Sequence, residues 1–501
     1  MSARWNENRT ITQRIIVTGN LKLLSPARFG NGEGDAVTNM PLLRDPQSGA
    51  ALLPGTSIAG ALRAYLRERT QGFEEGEPQN GAWLSQTLFG DVVEGESIRE
   101  DERRSIESYL TIDDSRAETT TTEFRPGVKI NPATRIAAMA VDEDSDKAKG
   151  GQLYDMELLE AGTIFPLALE LDLPADSALQ AELKKGLALA LTGFESGEIG
   201  LGARKRRGFG ECKVESWQVQ TYNLQDPAQL VDWIKGSDGK IANKGKIAQQ
   251  LGFNEVLPDQ RKRFCVKAEF RLKTSLLIRS GSGKADAPEM VHLRSKRGTD
   301  LKPILSGTSL AGAMRARALR IANTVITDPE SAQKLVCEVF GPGEIKKQLE
   351  RTKDDQPFAS RIIVREREVV GREDLVQTRI RIDRFTGGTF PGALFDQQPL
   401  VGGSQSKLTV ELELRNPQDA HIGLLLHILK DLWSGDLPLG GESSTGRGRL
   451  VGQKMDLSLH QPEQEKPEEW HITPGADGGM QISGAKVEIL EDYTKSIRGA
   501  K

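Results

Sequence analysis

Two isolated aspartates, Asp35 and Asp286, sit in short glycine-broken stretches, FGNGEGDAVTNMPLLRDP at residues 29–46 and RSGSGKADAPEMVHLRSK at 279–296. Glycines at this spacing let the backbone approach a ligand closely, and a carboxylate on such a loop can hold a metal or move a proton. A plain turn, with the aspartate bonded to nearby backbone, is the competing reading. The cations are bunched elsewhere, in ARKRRGFG (203–210), RKR (261–263), RSKR (294–297) and RIRIDR (379–384). On a body of net charge −4, such local stripes can still track a phosphate backbone. A solvated charged surface accounts equally well for any one of them.

Something must position these residues, and 501 residues call for at least two domains. A hydrophobic fraction of 37% and a charged fraction of 28% fit a globular protein with a large solvated surface. No apolar run reaches the ~20 residues of a membrane span. The start MSARWNENRT is too polar for a signal peptide, so a cytoplasmic setting without membrane contact is expected. Cys212, Cys265 and Cys337 form no CxxC pair, which argues against a zinc ribbon or a disulfide framework. A phosphate-binding P-loop at RSGSGKAD fails, because Ile278 and Ala285 stand where Gly and Ser or Thr are required.

The strongest organising signal is internal repetition. LPGTSIAGALR (53–63) and LSGTSLAGAMR (305–315) agree at eight of eleven positions. LFG (88–90) returns as VFG (339–341), VKINPAT (128–134) as IRIDRFT (380–386), LYD (153–155) as LFD (394–396), and SGEIGLG (196–202) as SGDLPLG (434–440). Matches in one order with slowly drifting spacing mean a tandem duplication: a first domain at 1–218, a linker at 219–262, a second domain at 263–456, and a polar, mobile C-terminal extension at 457–501. RIIVTGNLKLL (14–24) and VKAEFRLKTSLLI (266–278) alternate as half-buried strands do. The stretch from Ser57 reads as a helix capped by Thr56 or Ser57, with Ile58, Ala61, Leu62, Tyr65 and Leu66 on one face. Later helices lie at 178–197 and 420–435. The expected fold is α+β, a ferredoxin-like or RRM-like domain built twice.

Two further motifs bear on anions. GLGARKRRGFG (200–210) sets Arg204, Lys205, Arg206 and Arg207 between glycines, so amides and guanidiniums can meet phosphates together. Its counterpart keeps Arg447 and Arg449 but offers Ser443, Ser444 and Thr445 instead of the cations. A tight turn is the alternative; phosphate contact is favoured for the first copy, and the two readings balance for the second. At GTSxAGxxR, Gly55 and Gly307 free the backbone before a helix whose N-terminus, with Ser57 and Ser309, attracts an anion, and Arg63 and Arg315 strengthen that attraction.

The ordered set PLLRDP (41–46), PGTSIAGALR, LFG and GLGARKRRGFG, repeated as SGTSLAGAMR, VFG, IRIDRFTGG (380–388) and GGESSTGRGRL (440–450), resembles the RAMP proteins of CRISPR systems, in particular the backbone subunits of type III effector complexes. The resemblance implies a palm with a hairpin thumb in each half, gripping guide RNA, and two backbone subunits fused in a type III-D-like arrangement. Implied partners are a CRISPR guide RNA, a target RNA, the large effector subunit and further RAMP subunits. Lys129, Arg135, Arg381 and Arg384 fall where the family carries its thumbs; the first insertion is longer, so the thumbs should differ in reach.

Nuclease members of the family cleave the paired target with one aspartate after the first strand and a divalent cation, of which Mg2+ is the expected one. That aspartate usually stands just before the hinge preceding R-D-P, where this chain has Asn39 and, in the second copy, Glu289. Asp35 and Asp286 nevertheless occupy matching places in the two repeats, and they are taken as the catalytic carboxylates. A non-cleaving RNA-binding scaffold of the same complex is the alternative, and Asn39 favours it. Metal-independent guide processing would need a base such as His292, whose counterpart Leu42 cannot serve.

Overall fold

The computed structural model describes residues 10–30, 41–73, 84–93, 104–129, 152–236, 244–253, 259–281, 288–342, 359–462, 464, 466–475 and 479–499. Asp35, Asn39, Arg135 and Asp286 lie outside the described residues.

In the first half the elements are strand β1 (Ile11–Leu23), helix α1 (Gly55–Gln71), strand β2 (Leu110–Ile112), hairpin strands β3 (Thr122–Lys129) and β4 (Gln152–Leu159), strand β5 (Ile164–Pro174), helix α2 (Ser177–Ser196) and strand β6 (Cys212–Asn223). The sheet runs β6-β1-β5-β2, antiparallel throughout. The second half repeats the plan with β7 (Arg263–Leu272), α3 (Gly307–Val325), β8 (Ile362–Val364), hairpin strands β9 (Gln377–Ile382) and β10 (Thr389–Gln398), β11 (Leu400–Arg415), α4 (Asp419–Ser434) and β12 (Leu450–His460). Its sheet contains the order β12-β7-β11-β8. The last strand beside the first, then the third, then the second, with two helices on one face, is the ferredoxin-like arrangement.

The residue pattern explains why. On β1 the alternate residues Ile15, Val17, Leu21 and Leu23 are buried, and β5 does the same with Phe165, Leu167, Leu169, Leu171 and Leu173. On α1, Ile58, Leu62, Tyr65 and Leu66 form the buried stripe that helical spacing dictates. Each half has its own apolar core.

The start of α1 differs from the expected cap. Pro54 holds the cap position with no side-chain bond, and the Asp114 carboxylate, arriving from beyond β2, accepts from Gly55 N at 2.7 Å. Ser57 is exposed. In the second copy Ser306 Oγ accepts from Ser309 N at 3.2 Å, and Ser306 Oγ donates to Ser309 Oγ at 2.9 Å. The glycines that open both helices serve close packing: a Cβ on Gly55 would lie 2.2 Å from Ile112 O, and one on Gly307 2.6 Å from Val364 O. The expected loosening of the backbone for an anion is therefore replaced by a helix start pressed onto the second strand.

The C-terminal stretch is built structure, not the mobile tail expected. Strands β13 (Glu468–Pro474) and β14 (Met480–Gly484) extend the second sheet beyond β12, and helix α5 (Val487–Ser496) lies on α4. Trp470 is fully buried, and a Cβ on Gly423 would meet Tyr493 O at 2.0 Å. The last strands of the two repeats run on to Asn223 and His460, past the expected domain ends at 218 and 456. After β6 the chain forms the short helix Pro227–Ile234, then returns so that Gly245 bridges Trp217 and Ile247 is buried. Both repeats thus follow their final strand with chain laid along its edge, which covers an otherwise open row of backbone donors and acceptors.

Candidate nucleic-acid interface

What the structure describes of the two aspartate loops is their roots. Gly30 bridges Leu42 at the base of the first, and Arg279–Gly281 pairs with Met290–His292 at the base of the second. Both roots are tied to the hairpin of their own repeat. In the first half Glu157 on β4 accepts from Leu42 N at 3.0 Å and from Arg44 Nη2 at 2.5 Å. Asp45 accepts from Ser48 N and Oγ, at 3.0 and 2.5 Å, and turns the chain back. In the second half Met290 and Val291 run parallel to Gln397 and Gln398 of β10. Glu289 stands beside that root, exposed.

His292 belongs to this root as a structural residue. Its Nδ1 accepts from Ile278 N at 3.2 Å and its Nε2 faces Ile304 O at 2.9 Å, so the neutral ring with hydrogen on Nε2 fits both partners. Burial pushes its pKa down to about 4 from 6.5. The neutral ring's contribution to stability is complete above the unfolded-state value and is lost as pH falls through about 4. At roughly 1.4 kcal/mol per unit, about 3–4 kcal/mol should disappear over that window. Urea unfolding of the wild type and of His292→Gln at pH 7 and pH 4.5 measures it; equal pH slopes in the two proteins would rule it out.

The glycine-rich turns after α2 and α4 share one backbone conformation. Arg204 and Glu442 take the left-handed backbone at φ 58° and 60°, followed by single 3-10 turns at Lys205–Arg207 and Ser443–Thr445. Leu201 N donates to Gly210 O, and Leu439 N to Gly448 O, both at 2.9 Å. A Cβ on Gly210 would lie 1.8 Å from Leu201 O, and one on Gly448 1.9 Å from Leu439 O, so only glycine closes either loop. The tight-turn reading thus holds for both copies, and the side chains between the glycines are what differs. Arg204 approaches Arg28, whose pKa is lowered by burial and by that neighbouring cation.

The first turn also forms the joint between the halves. A Cβ on Gly208 would meet Glu366 N at 2.5 Å, and one on Gly307, at the head of α3, would meet Arg207 O at 2.4 Å. Beside it the Glu366 carboxylate, with no exposed surface, takes Arg125 of β3 at 2.6 and 3.1 Å and Arg297 at 2.6 Å. Burial alone would lower the Arg125 pKa; Glu366 and Glu123 raise it instead.

Two of the basic clusters are consumed internally. In RKR, Arg261 and Arg263 both hold Glu198 and Asp259. In RSKR, Arg294 pairs with Asp374, Lys296 with Glu160 and Arg297 with Glu366, at 2.5, 2.8 and 2.6 Å. Arg315 Nη1 donates to Gly341 O at 2.9 Å and so caps the next helix, while Arg63 is half-buried on α1. Arg447 departs furthest from the surface phosphate contact expected of it. It is buried, with Nη2 donating to Gln377 Oε1 at 2.6 Å and Nε 3.2 Å from Glu442 Oε2. Its position faces the base of the hairpin, an arrangement that spacing alone does not reveal.

In the RIRIDR cluster Arg379 pairs with Glu442 at 3.0 Å, and the other two arginines stay in solvent. Arg381 and Arg384 are exposed on the β9–β10 hairpin, with the Arg381 guanidinium 4.8 Å from the Phe390 ring. Ile380, Ile382, Phe390 and Leu394 are exposed too, and Phe385 at the tip is 98% exposed. An apolar blade edged with guanidiniums fits unstacked bases and phosphates together. Phe385 and Phe390 are readable in the sequence as aromatics set among cations. Lys129 ends β3 in the first hairpin, where Phe124 is also exposed. The sheets themselves offer no such platform. Every Phe, Tyr or Trp of the two four-strand sheets is buried, and sheet cations such as Arg14 and Lys407 are ion-paired, with Asp172 and Glu269. The RRM-like expectation thus holds for topology, while the exposed phenylalanines Phe124, Phe385 and Phe390 lie on the hairpins. Among the described residues no three Asp, Glu, His or Cys side chains converge as a cation site, and no helix is long and apolar enough to cross a membrane.

The family model described as the RAMP superfamily matches residues 20–213 and again 269–451, one match for each repeat. Among curated proteins the chain is similar to the CRISPR system Cms endoribonuclease Csm3 of Mycobacterium tuberculosis, with 32% identity over 88 residues. That similarity covers 16% of this chain and 37% of the relative's length.

Proposed function

The chain belongs to the RAMP superfamily through both of its halves, and from that premise we propose that it is a tandem backbone subunit of a type III CRISPR effector complex, binding guide RNA and cutting the complementary target RNA at two places. The observation that carries the proposal is the anchoring of each aspartate loop to a hairpin, through Glu157 in the first repeat and through Met290–Gln397 pairing in the second. A hairpin that splays a target nucleotide would hold the reactive linkage beside the loop rooted on it.

Asp35 and Asp286 act in this proposal on the nucleotide at each hairpin. The 2′-hydroxyl oxygen bonds to phosphorus as its proton passes to the aspartate, the bond from phosphorus to the 5′-oxygen breaks, and that oxygen takes up a proton. The products are a 2′,3′-cyclic phosphate and a 5′-hydroxyl. The described residues supply no cluster for a divalent cation, so Mg2+ would depend on the loops carrying the two aspartates, where it would neutralise phosphate charge.

Guide RNA, target RNA, the large subunit and other RAMP subunits are the proposed partners. Purifying the assembled complex from its host and sequencing the bound RNA tests the class directly. Short guides sharing a common tag are the expected result; absence of RNA, or RNA without a common element, would overturn it.

A further inference from the structure

The base of the second hairpin contains an anion site whose present anion is a side chain of the protein. Glu442 Oε1 accepts from Gln397 Nε2 at 2.6 Å and lies 3.3 Å from Arg279 Nη2; its Oε2 lies 3.0 Å from Arg379 Nη1 and 3.2 Å from Arg447 Nε. Three guanidiniums therefore surround one carboxylate, which leaves the cluster in positive excess. Arg447, 4% exposed, has its Nη1 buried without a hydrogen-bond partner. A buried guanidinium N–H left unmatched is costly and points to a missing acceptor. Burial would raise the Glu442 pKa, but the Gln397 bond and the three guanidiniums outweigh it and hold the carboxyl ionised.

The first repeat shows the same backbone without this carboxylate. Arg204 stands at the position of Glu442, and Phe209 at that of Arg447. Gly30 bridges Leu42 as Arg279 pairs with His292, and the Arg28 guanidinium is laid over Gly30, so a cation occupies the place from which the Arg279 side chain springs. One turn thus presents a cation beside that guanidinium, and its twin presents an anion. Glu442 is held on a left-handed backbone that non-glycine residues seldom adopt, and its partner Arg279 is half exposed. The site therefore opens to solvent on the Arg279 side.

We propose that Glu442 is an internal stand-in for a phosphate, filling in the free protein a site that Arg279, Arg379 and Arg447 offer to an RNA backbone phosphate in the complex. Only the carrier of the phosphate rests on the RNA-binding reading; the site itself rests on this geometry.

The test uses the full chain with inorganic phosphate and, separately, a single-stranded oligoribonucleotide. Glu442→Ala should bind inorganic phosphate at least about tenfold more tightly than wild type by calorimetry. Phosphate should also raise its melting temperature more than chloride at equal ionic strength does, because a ligand that binds only the folded state stabilises it. If Glu442→Ala does not fold in chloride, Glu442→Gln, which removes the charge but keeps an acceptor for Gln397, should show the same selective response. Equal phosphate affinity in variant and wild type, or stabilisation indifferent to the anion, would overturn the site. With the oligoribonucleotide, Glu442→Gln should bind more tightly and gain a salt slope of roughly 0.7 per added phosphate contact. Tighter phosphate binding without that gain would overturn RNA as the carrier. Failure of the wild type itself to bind RNA would instead count against the proposed function, and the phosphate arm would still decide the site.

Discussion

Asp35→Ala should erase one target-RNA product and Asp286→Ala the other, each by about a hundredfold or more, while guide RNA stays bound. The size follows from losing a positioned proton acceptor, which contributes roughly 10²–10⁴ in rate. The two losses should be independent, because each aspartate loop is rooted on the hairpin of its own repeat and the roots share no residue. The measurement is end-labelled target RNA incubated with the assembled complex, resolved at single-nucleotide length, with and without chelator. A double variant that still gives both products would remove the aspartates from the mechanism and bring Asn39, Glu289 and the non-cleaving scaffold forward. Cutting undiminished by chelator would remove the cation.

Glu366→Ala should be the most damaging single change to the folded chain outside the cores. The carboxylate has no exposed surface and neutralises Arg125 and Arg297 from the two halves, so truncation leaves Arg297 without its counter-charge and the buried Arg125 with Glu123 alone. Breaking a buried pair in this way costs about 3–5 kcal/mol. Urea unfolding should show that loss in the transition reporting the joint, with Glu366→Gln intermediate because it retains an acceptor without the charge. A loss under about 1 kcal/mol for Glu366→Ala would mean that the joint is held by the turn at Gly208 and not by the ion triad.

The duplication and the ferredoxin-like plan were legible because period-2 burial on β1 and helical spacing on α1 are local signals. Alternating positions such as Ile15 and Val17 need only their neighbours to be read. The charged residues were legible as cations but not as partners. Whether Arg297 meets solvent or Glu366, and whether Arg447 faces RNA or Glu442, depends on chain brought together from distant segments. The cap of α1 failed to show for the same reason, since Asp114 comes from across β2. The C-terminal ribbon was missed because its burial rests on few residues, Trp470 and Ile472 among them, set in a polar stretch.

The strand order has a consequence for synthesis. The first strand of each repeat is an inner strand: Val17 lies between Leu169 and Val219, and Val266 between Leu412 and Leu457. As the chain leaves the ribosome, β1 emerges first yet has neither neighbour until nearly the whole repeat has been made, and β7 then waits in the same way. Such distant pairings slow folding and leave unpaired, alternating apolar strands open to one another in the interval. Because the two waiting strands come from copies of one ancestral unit, β7 also competes as a wrong neighbour for the strands that belong to β1. Completing the first repeat before β7 emerges removes that competition, so slow translation through the linker should favour the native pairing.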